Sequence, residues 1–235
     1  MSDFFAERDW MGLTDVIETD TEFIPLISPE DEDRMNLEEV PDKLPILPLR
    51  NNVLFPGVVI PITLGRDKSI KLIQDAYKGN KIIGVVSQID SNVEEPQYAD
   101  LFKIGTVAQI IRMLKMPDGS STIIIQGKKR LNLVEELSTD PYLVAKIEEF
   151  EEKRLKKMSK ESLALFDSLK DLALNIIKNS PNIPSEAAFA IKNIESPNFL
   201  VNFISSHMNA EVDQKQKMLE EPDIHKRAKL LMKHL

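Results

Sequence analysis

The sequence predicts an α+β fold in two parts, a β-rich part of about six strands with one inserted helix, then an all-helical bundle. Three observations carry this expectation. Between Leu44 and Phe150 lie runs of strand length rich in valine and isoleucine, separated by proline- and glycine-containing breaks. Within them, the stretch after Gly65 switches to helical spacing, with Ile70, Ile73 and Tyr77 at i, i+3 and i+7. At Glu151 the composition shifts to the charged, helix-prone EEKRLKKMSKES, and helical spacing then persists to Leu235.

Taken in order, residues 1–42 hold 14 of the 38 acidic residues and only two bases, Arg8 and Arg34. With EDEDR inside them and no sustained period, they read as a largely disordered acidic arm. Phe4, Phe5, Trp10, Met11 and Leu13 leave a second reading, a short docking segment on its own body or on a neighbour. The β-rich part is expected over 43–152. It opens with LPILPLRNNVLFPGVVIPITLGRDKSI, broken by prolines at 45, 48, 56 and 61. Each proline removes a backbone donor, which suits edge or bent strands. The helix that follows is expected to be capped by Asp67 and stopped at Gly79. Further strands are read at 81–88, 104–116, 121–134 and 142–150, with a hairpin at Pro117-Asp118-Gly119. Mostly short-range antiparallel pairing in a closed or nearly closed barrel would hide their edges.

The helical part is expected over 153–235. Leu163, Phe166, Leu169, Leu172 and Ile176 form a stripe down one long helix. Ser185 can cap a second helix with Ala188 and Ile191 inward, and Ser196-Pro197 supplies a cap and a first-turn proline for a third. Leu200, Phe203 and Ile204 share a face of that helix. Val212–Leu219 makes a fourth, and Asp223 begins a fifth that is still in stride at Leu235, as if cut in mid-helix.

Chemistry is scarce. The histidines at 207, 225 and 234 read as solvated or capping residues, and no HExxH pattern accompanies them. Without cysteine there are no disulfides, thiolate metal sites or thiol nucleophiles, which is compatible with a reducing, cytoplasmic setting. GxxxxGK[ST], GxGxxG and GxSxG are all missing, so no catalytic, metal or nucleotide site is assigned. No apolar run reaches bilayer length and no secretion signal opens the chain. Outside the arm the balance is 24 acids against 28 bases. Lys128-Lys129-Arg130 is a basic triplet, and without interleaved aromatics it reads as a solvated strand edge rather than a nucleic-acid contact.

What remains is apolar surface. Thr122, Ile124 and Gln126 share a face opposite Ile123 and Ile125, and Gln109, Ile111, Met113 and Lys115 alternate in the same way. Met113 and Ile124, joined by Pro61 if the barrel brings its strand alongside, form the candidate patch for flexible apolar segments, and the alternative is that helices cover the barrel and bury both faces.

The stretches at 44–70, 82–88, IGTVAQIIRMLKMPDG at 104–119, SPNFLVNFISSHM at 196–208 and QKQKMLEEPDIHKR at 214–227 occur in an order and spacing that resembles the amino-terminal substrate-binding domain of the Lon family of ATP-dependent proteases. The resemblance covers Leu44 to Leu235 but not the arm. It implies a PUA-like pseudo-barrel followed by a helical bundle that leads into an ATPase module and a serine–lysine protease module. Neither module is in this sequence, so no catalytic residue carries over. ATP and Mg are implied for the absent ATPase module alone. The implied partners are unfolded or misfolded proteins, the chain's own ATPase and protease modules, and its copies in a homo-hexamer. The segment alone would be a monomer or weak oligomer, with no membrane or nucleic-acid partner. The alternative is a free-standing Lon-like adaptor, or a barrel that binds a small ligand or RNA.

Overall fold

The β-branched runs form six strands, β1 (Lys43–Leu49), β2 (Val59–Leu64), β3 (Ile82–Ser87), β4 (Ile104–Lys115), β5 (Ser121–Ser138) and β6 (Val144–Glu149). The computed structural model describes residues 27–115, 121–153, 159–179 and 185–235. The expected hairpin turn at Pro117–Gly119 and the first 26 residues of the expected arm lie outside the described residues.

The strands run in the order β2-β5-β4-β3-β1-β6, and β6 returns to β5, so five of them close a ring. The ring is not a regular barrel, because the 18-residue β5 serves two neighbours on one side. Its residues 121–126 pair with β2 and its residues 131–138 with β6. Two register shifts against β4 and two against β6 supply the bends this requires. Pairing is antiparallel except between β1 and β3, which run parallel. Among the described residues β2 has a single neighbour, and Pro61 at its centre is tolerable on such an edge.

Helix α1 (Pro29–Leu37) falls inside the stretch expected to be an acidic arm. Ser28 caps it by accepting from the Asp31 amide, and Ile27 and Met35 are buried in the core. Glu32 accepts hydrogen bonds from Ser196 Oγ and from Asn198 Nδ2, and Lys128 pairs with Glu38 at 3.7 Å. Residues 27–38 thus form part of the body, because two apolar side chains and a cap are enough to dock a short acidic helix.

Helix α2 (Asp67–Lys78) ends at Gly79 as expected, but Arg66 occupies the cap position and makes no capping bond. Asp67 is instead the first helical residue, where its charge still favours the positive end of the helix. The second part is α3 (Lys160–Asn179), α4 (Ser185–Asn193), α5 (Pro197–His207), α6 (Val212–Glu220) and α7 (Ile224–His234). In α3 the buried stripe is Ser162, Phe166, Leu169, Ala173 and Ile177, while Leu163 is exposed. At both ends the stripe is turned by one position from the most apolar line, with Ser162, Ala173 and Ile177 buried in place of Leu163, Leu172 and Ile176. Helix α5 is buried on every side from Phe199 to His207 and is the hub of the bundle, which its three-residue apolar face does not reveal.

Two cores result. One fills the ring with residues such as Leu44, Ile46, Val86, Val107, Leu131 and Ile147. The other is larger and runs from the opposite face of the strands, through Phe55, Ile123 and Ile125, into Phe166, Leu200 and Phe203 of the helices. One continuous core therefore joins the β-rich and helical parts.

Candidate functional site

On β2, the side chains of Ile60, Ile62 and Leu64 turn toward the larger core, leaving Val59, Pro61 and Thr63 on the opposite face. Register then extends that face across three strands. Pro61 lies opposite Ile124, and Ile124 opposite Arg112. Val59, Gln126 and Gln109 form the next row, and Thr63, Thr122 and Leu114 the row beyond. Pro61 and Ile124 are half-buried neighbours, so two of the three expected patch residues do come together.

Met113 does not join them. Ile110 pairs with Ile125 but Arg112 with Ile124, which makes Ile111 an extra residue in β4. The bulge advances the alternation by one, so Met113 lies opposite fully buried Ile123 and packs, half-buried, on the larger core. Ile111, which shared the expected face with Met113, is the extra residue of the bulge and is 46% exposed. The outward apolar group is thus Val59, Pro61, Ile111, Leu114 and Ile124. Unbroken period-two alternation could not reveal the phase change, since nothing in IIRML distinguishes a bulge.

The basic triplet is no solvated edge. Lys129 pairs with Glu149 at 3.3 Å, and Arg130 is 1% exposed. Arg130 donates from Nε to Glu152 at 2.8 Å and from Nη1 to the carbonyls of Leu219 at 2.7 Å and Glu221 at 2.9 Å. Its guanidinium also lies 4.4 Å from the centre of the Phe150 ring. A strand residue thus satisfies the open carbonyl end of α6, across the seam between the two parts. Nearby Arg227 of α7 donates to Asn202 at 2.9 Å. Burial, and then the Arg130 charge, push the Arg227 guanidinium down to about 10. These residues line a cavity of about 440 Å³ together with Glu32, Glu149, Glu151 and Glu152. Basic and acidic side chains balance there, which makes the cavity a seam rather than an anion site.

The histidines bring no chemistry. His207 is buried, with Nδ1 2.8 Å from the Phe203 carbonyl and its ring against Phe203, so the solvated reading fails for it. His225 bonds to Ser162 Oγ, and its Nδ1 lies 3.8 Å from Asp223. That last distance is too long for a hydrogen bond, and Asp223 already accepts from the amides of His225 and Lys226. With Ser162 also buried, the three do not form a nucleophilic relay. Among the described residues no group of three or more His, Asp or Glu is placed to hold a metal ion, and no helix is long and apolar enough to cross a membrane.

Comparison with known proteins bears on the fold and the family. The chain is 59% identical over 211 residues to the Lon protease of Flavobacterium johnsoniae, covering 90% of this chain and 26% of that protein. It is 51% identical to the Lon protease of Cytophaga hutchinsonii, again over 90% of this chain and 26% of the relative. It therefore spans about a quarter of the length of these curated relatives. The fold matches the N-terminal domain of Mycobacterium avium complex Lon protease with a TM-score of 0.67 at 19% identity, covering 82% of this chain and 97% of that one. It matches the Lon N-terminal domain protein of Xanthomonas campestris at 0.60 and 19% identity, covering 81% and 97%. Residues 43–235 match the family described as the ATP-dependent protease La (LON) substrate-binding domain, and the chain belongs to that family.

Proposed function

We propose that this chain captures unfolded or damaged polypeptide on the outward face of β2, β5 and β4 and presents it to an ATP-dependent Lon protease. The observation that carries the reading is the neighbouring pair Pro61 and Ile124, with exposed Ile111 next to their row partner Arg112, on a chain of the substrate-binding family. In the proposal, ATP and Mg are bound by an ATPase module outside this sequence, proteolysis is by a serine–lysine pair also outside it, and the full-length protein is a cytoplasmic homo-hexamer. The residues present contain no phosphate loop, so no step of this chain is routed through nucleotide. Family membership favours this over a free-standing adaptor or an RNA-binding barrel.

Binding on such a face is apolar, shallow and sequence-tolerant. Ordering a flexible client costs free energy on contact, so affinity per chain is modest. Several faces on one ring would offset this by effective concentration. The test is NMR titration or crosslinking of the 235-residue chain with a permanently denatured protein, without ATP. Contacts are expected at Pro61, Ile111 and Ile124. Ile111→Ser together with Ile124→Ser removes about 2 kcal/mol of apolar contact and weakens binding roughly thirtyfold. Met113→Ser instead lowers stability. Undiminished binding by the double variant would refute the placement.

A further inference from the structure

Among the described residues β2 has one hydrogen-bonded neighbour, and the register identifies which of its backbone groups are spare. Gly127 N donates to Val58 O at 2.9 Å, which makes 58 and 127 a bonded pair of the β2–β5 ladder. Alternation along the paired register then assigns 60, 62 and 64 to bonds with β5, and turns the backbone groups of 59, 61 and 63 toward the open edge. Pro61 lacks an N–H, so the edge offers the N–H and C=O of Val59, the C=O of Pro61, and the N–H and C=O of Thr63. A proline at the centre of an open edge discourages indiscriminate sheet growth and still leaves five groups for a partner.

That edge borders a groove of about 900 Å³, with Pro61–Gly65 on one side, Leu47–Asn52 on another, and Met208–Ala210 closing the far side. Its charged lining is unbalanced. Arg50 and Arg66 have no carboxylate partner among the described residues, Arg66 donating to Gln88 and Arg50 to the Val93 carbonyl. Burial, and then the Arg50 charge, push the Arg66 guanidinium below its usual range. Lys215 also lines the groove, its ammonium on the Ser206 carbonyl, and exposed Glu94 is the one acid in the lining.

We propose that a client segment with an acidic side chain enters this groove extended, adds to the open edge of β2 as a further strand, and sets its carboxylate on Arg50 and Arg66. The inference rests on the client-capture reading and specifies its mode: main-chain bonding at the edge supplies sequence tolerance, and the arginine pair supplies a preference for acidic segments. The outward face and the edge meet at Pro61, so one client can engage both.

The probe is a fluorescent ten-residue peptide of alternating valine and threonine with one central glutamate and blocked ends, titrated into the 235-residue chain by anisotropy. Three comparisons follow it. N-methylation of alternate amides, which keeps every side chain, weakens binding at least tenfold. Replacing the glutamate with glutamine weakens it about fivefold, and Arg50→Gln abolishes that difference without moving the melting temperature. Amide exchange at Val59 and Thr63 slows when the unmodified peptide is bound. Equal binding of the N-methylated peptide, no preference for glutamate, unchanged exchange at Val59 and Thr63, or no binding at all would each overturn the inference. If denatured protein still crosslinks at Ile124 in such a case, capture on the outward face stands and the edge mode alone fails. Loss of both removes both.

Discussion

Arg130→Met tests whether the seam holds the molecule together. The substitution keeps much of the aliphatic volume and removes a guanidinium that is fully buried and bonded to three acceptors. Those acceptors do not suffer equally. Glu152 retains 31% side-chain exposure and can turn to water, so its loss is muted. The Leu219 bond is buried, and its carbonyl is left unsatisfied at a cost of about 1–3 kcal/mol. Lost stacking on Phe150 adds up to about 1 kcal/mol, with a similar amount for the Glu221 carbonyl. Against this, removing Arg130 relieves repulsion on Arg227 and the desolvation of a charge. The net expectation is a loss of about 2–4 kcal/mol, a large fraction of ordinary domain stability. Urea unfolding followed by circular dichroism at 222 nm measures it, and Arg130→Lys, which keeps the charge but not the fork, falls between variant and parent. A Met variant within about 0.5 kcal/mol of the parent would show that the buried bonds merely balance their desolvation, and that the apolar core alone holds the seam.

Gly57→Ala is expected to cost about 2–3 kcal/mol by the same assay, since Gly57 has φ +82° and an added Cβ would stand 2.7 Å from Phe199 Cδ2. At Asp223 burial raises the carboxyl, but the Lys226 and His225 amides outweigh it and hold the group below its ordinary 3.8. Its stability contribution is therefore fully present above that value and is lost as pH falls through the lower folded value; Asp223→Asn, still a cap, should flatten this acid limb, whereas Asp223→Ala should cost about 1 kcal/mol at pH 7. Residues 43–152 expressed alone should give a collapsed, poorly dispersed NMR spectrum, because cutting there strips the helices from Phe55, Ile123 and Ile125; a well-dispersed spectrum with the parent's melting temperature would refute the shared core.

Strand and helix content was legible in the sequence because period two and period 3.6 are written in the side chains themselves. Five of the six strands follow from β-branched runs and β1 from an apolar run broken by prolines, while Ser196 marks the cap of α5 and Asp223 the start of α7. The parts that failed depend on partners distant in sequence. Arg130 reads as a surface charge because its acceptors, Leu219 and Glu221, come some 90 residues later. Glu32 reads as part of a loose acidic arm because Ser196 and Asn198 lie 164 and 166 residues away. Met113 was misplaced for a local but silent reason, one inserted residue that inverts every face after it. Pro61 and Ile124 lie opposite each other because the β2–β5 pairing runs without a register shift.

The bulge and the seam bear on function together. Met113 packs on the core side of β4 while Ile111 is exposed, so one inserted residue decides which apolar side chain of β4 is available to the proposed client face. The same strands carry the seam on their other face: the Pro56–Gly57 corner sits against Asn202 and Phe199, and Arg130 grips the end of α6. Helix α7 follows α6 after three residues and is tied back through Arg227 to Asn202. The outward face is thus linked to α7 by packed core and buried hydrogen bonds rather than by a flexible linker.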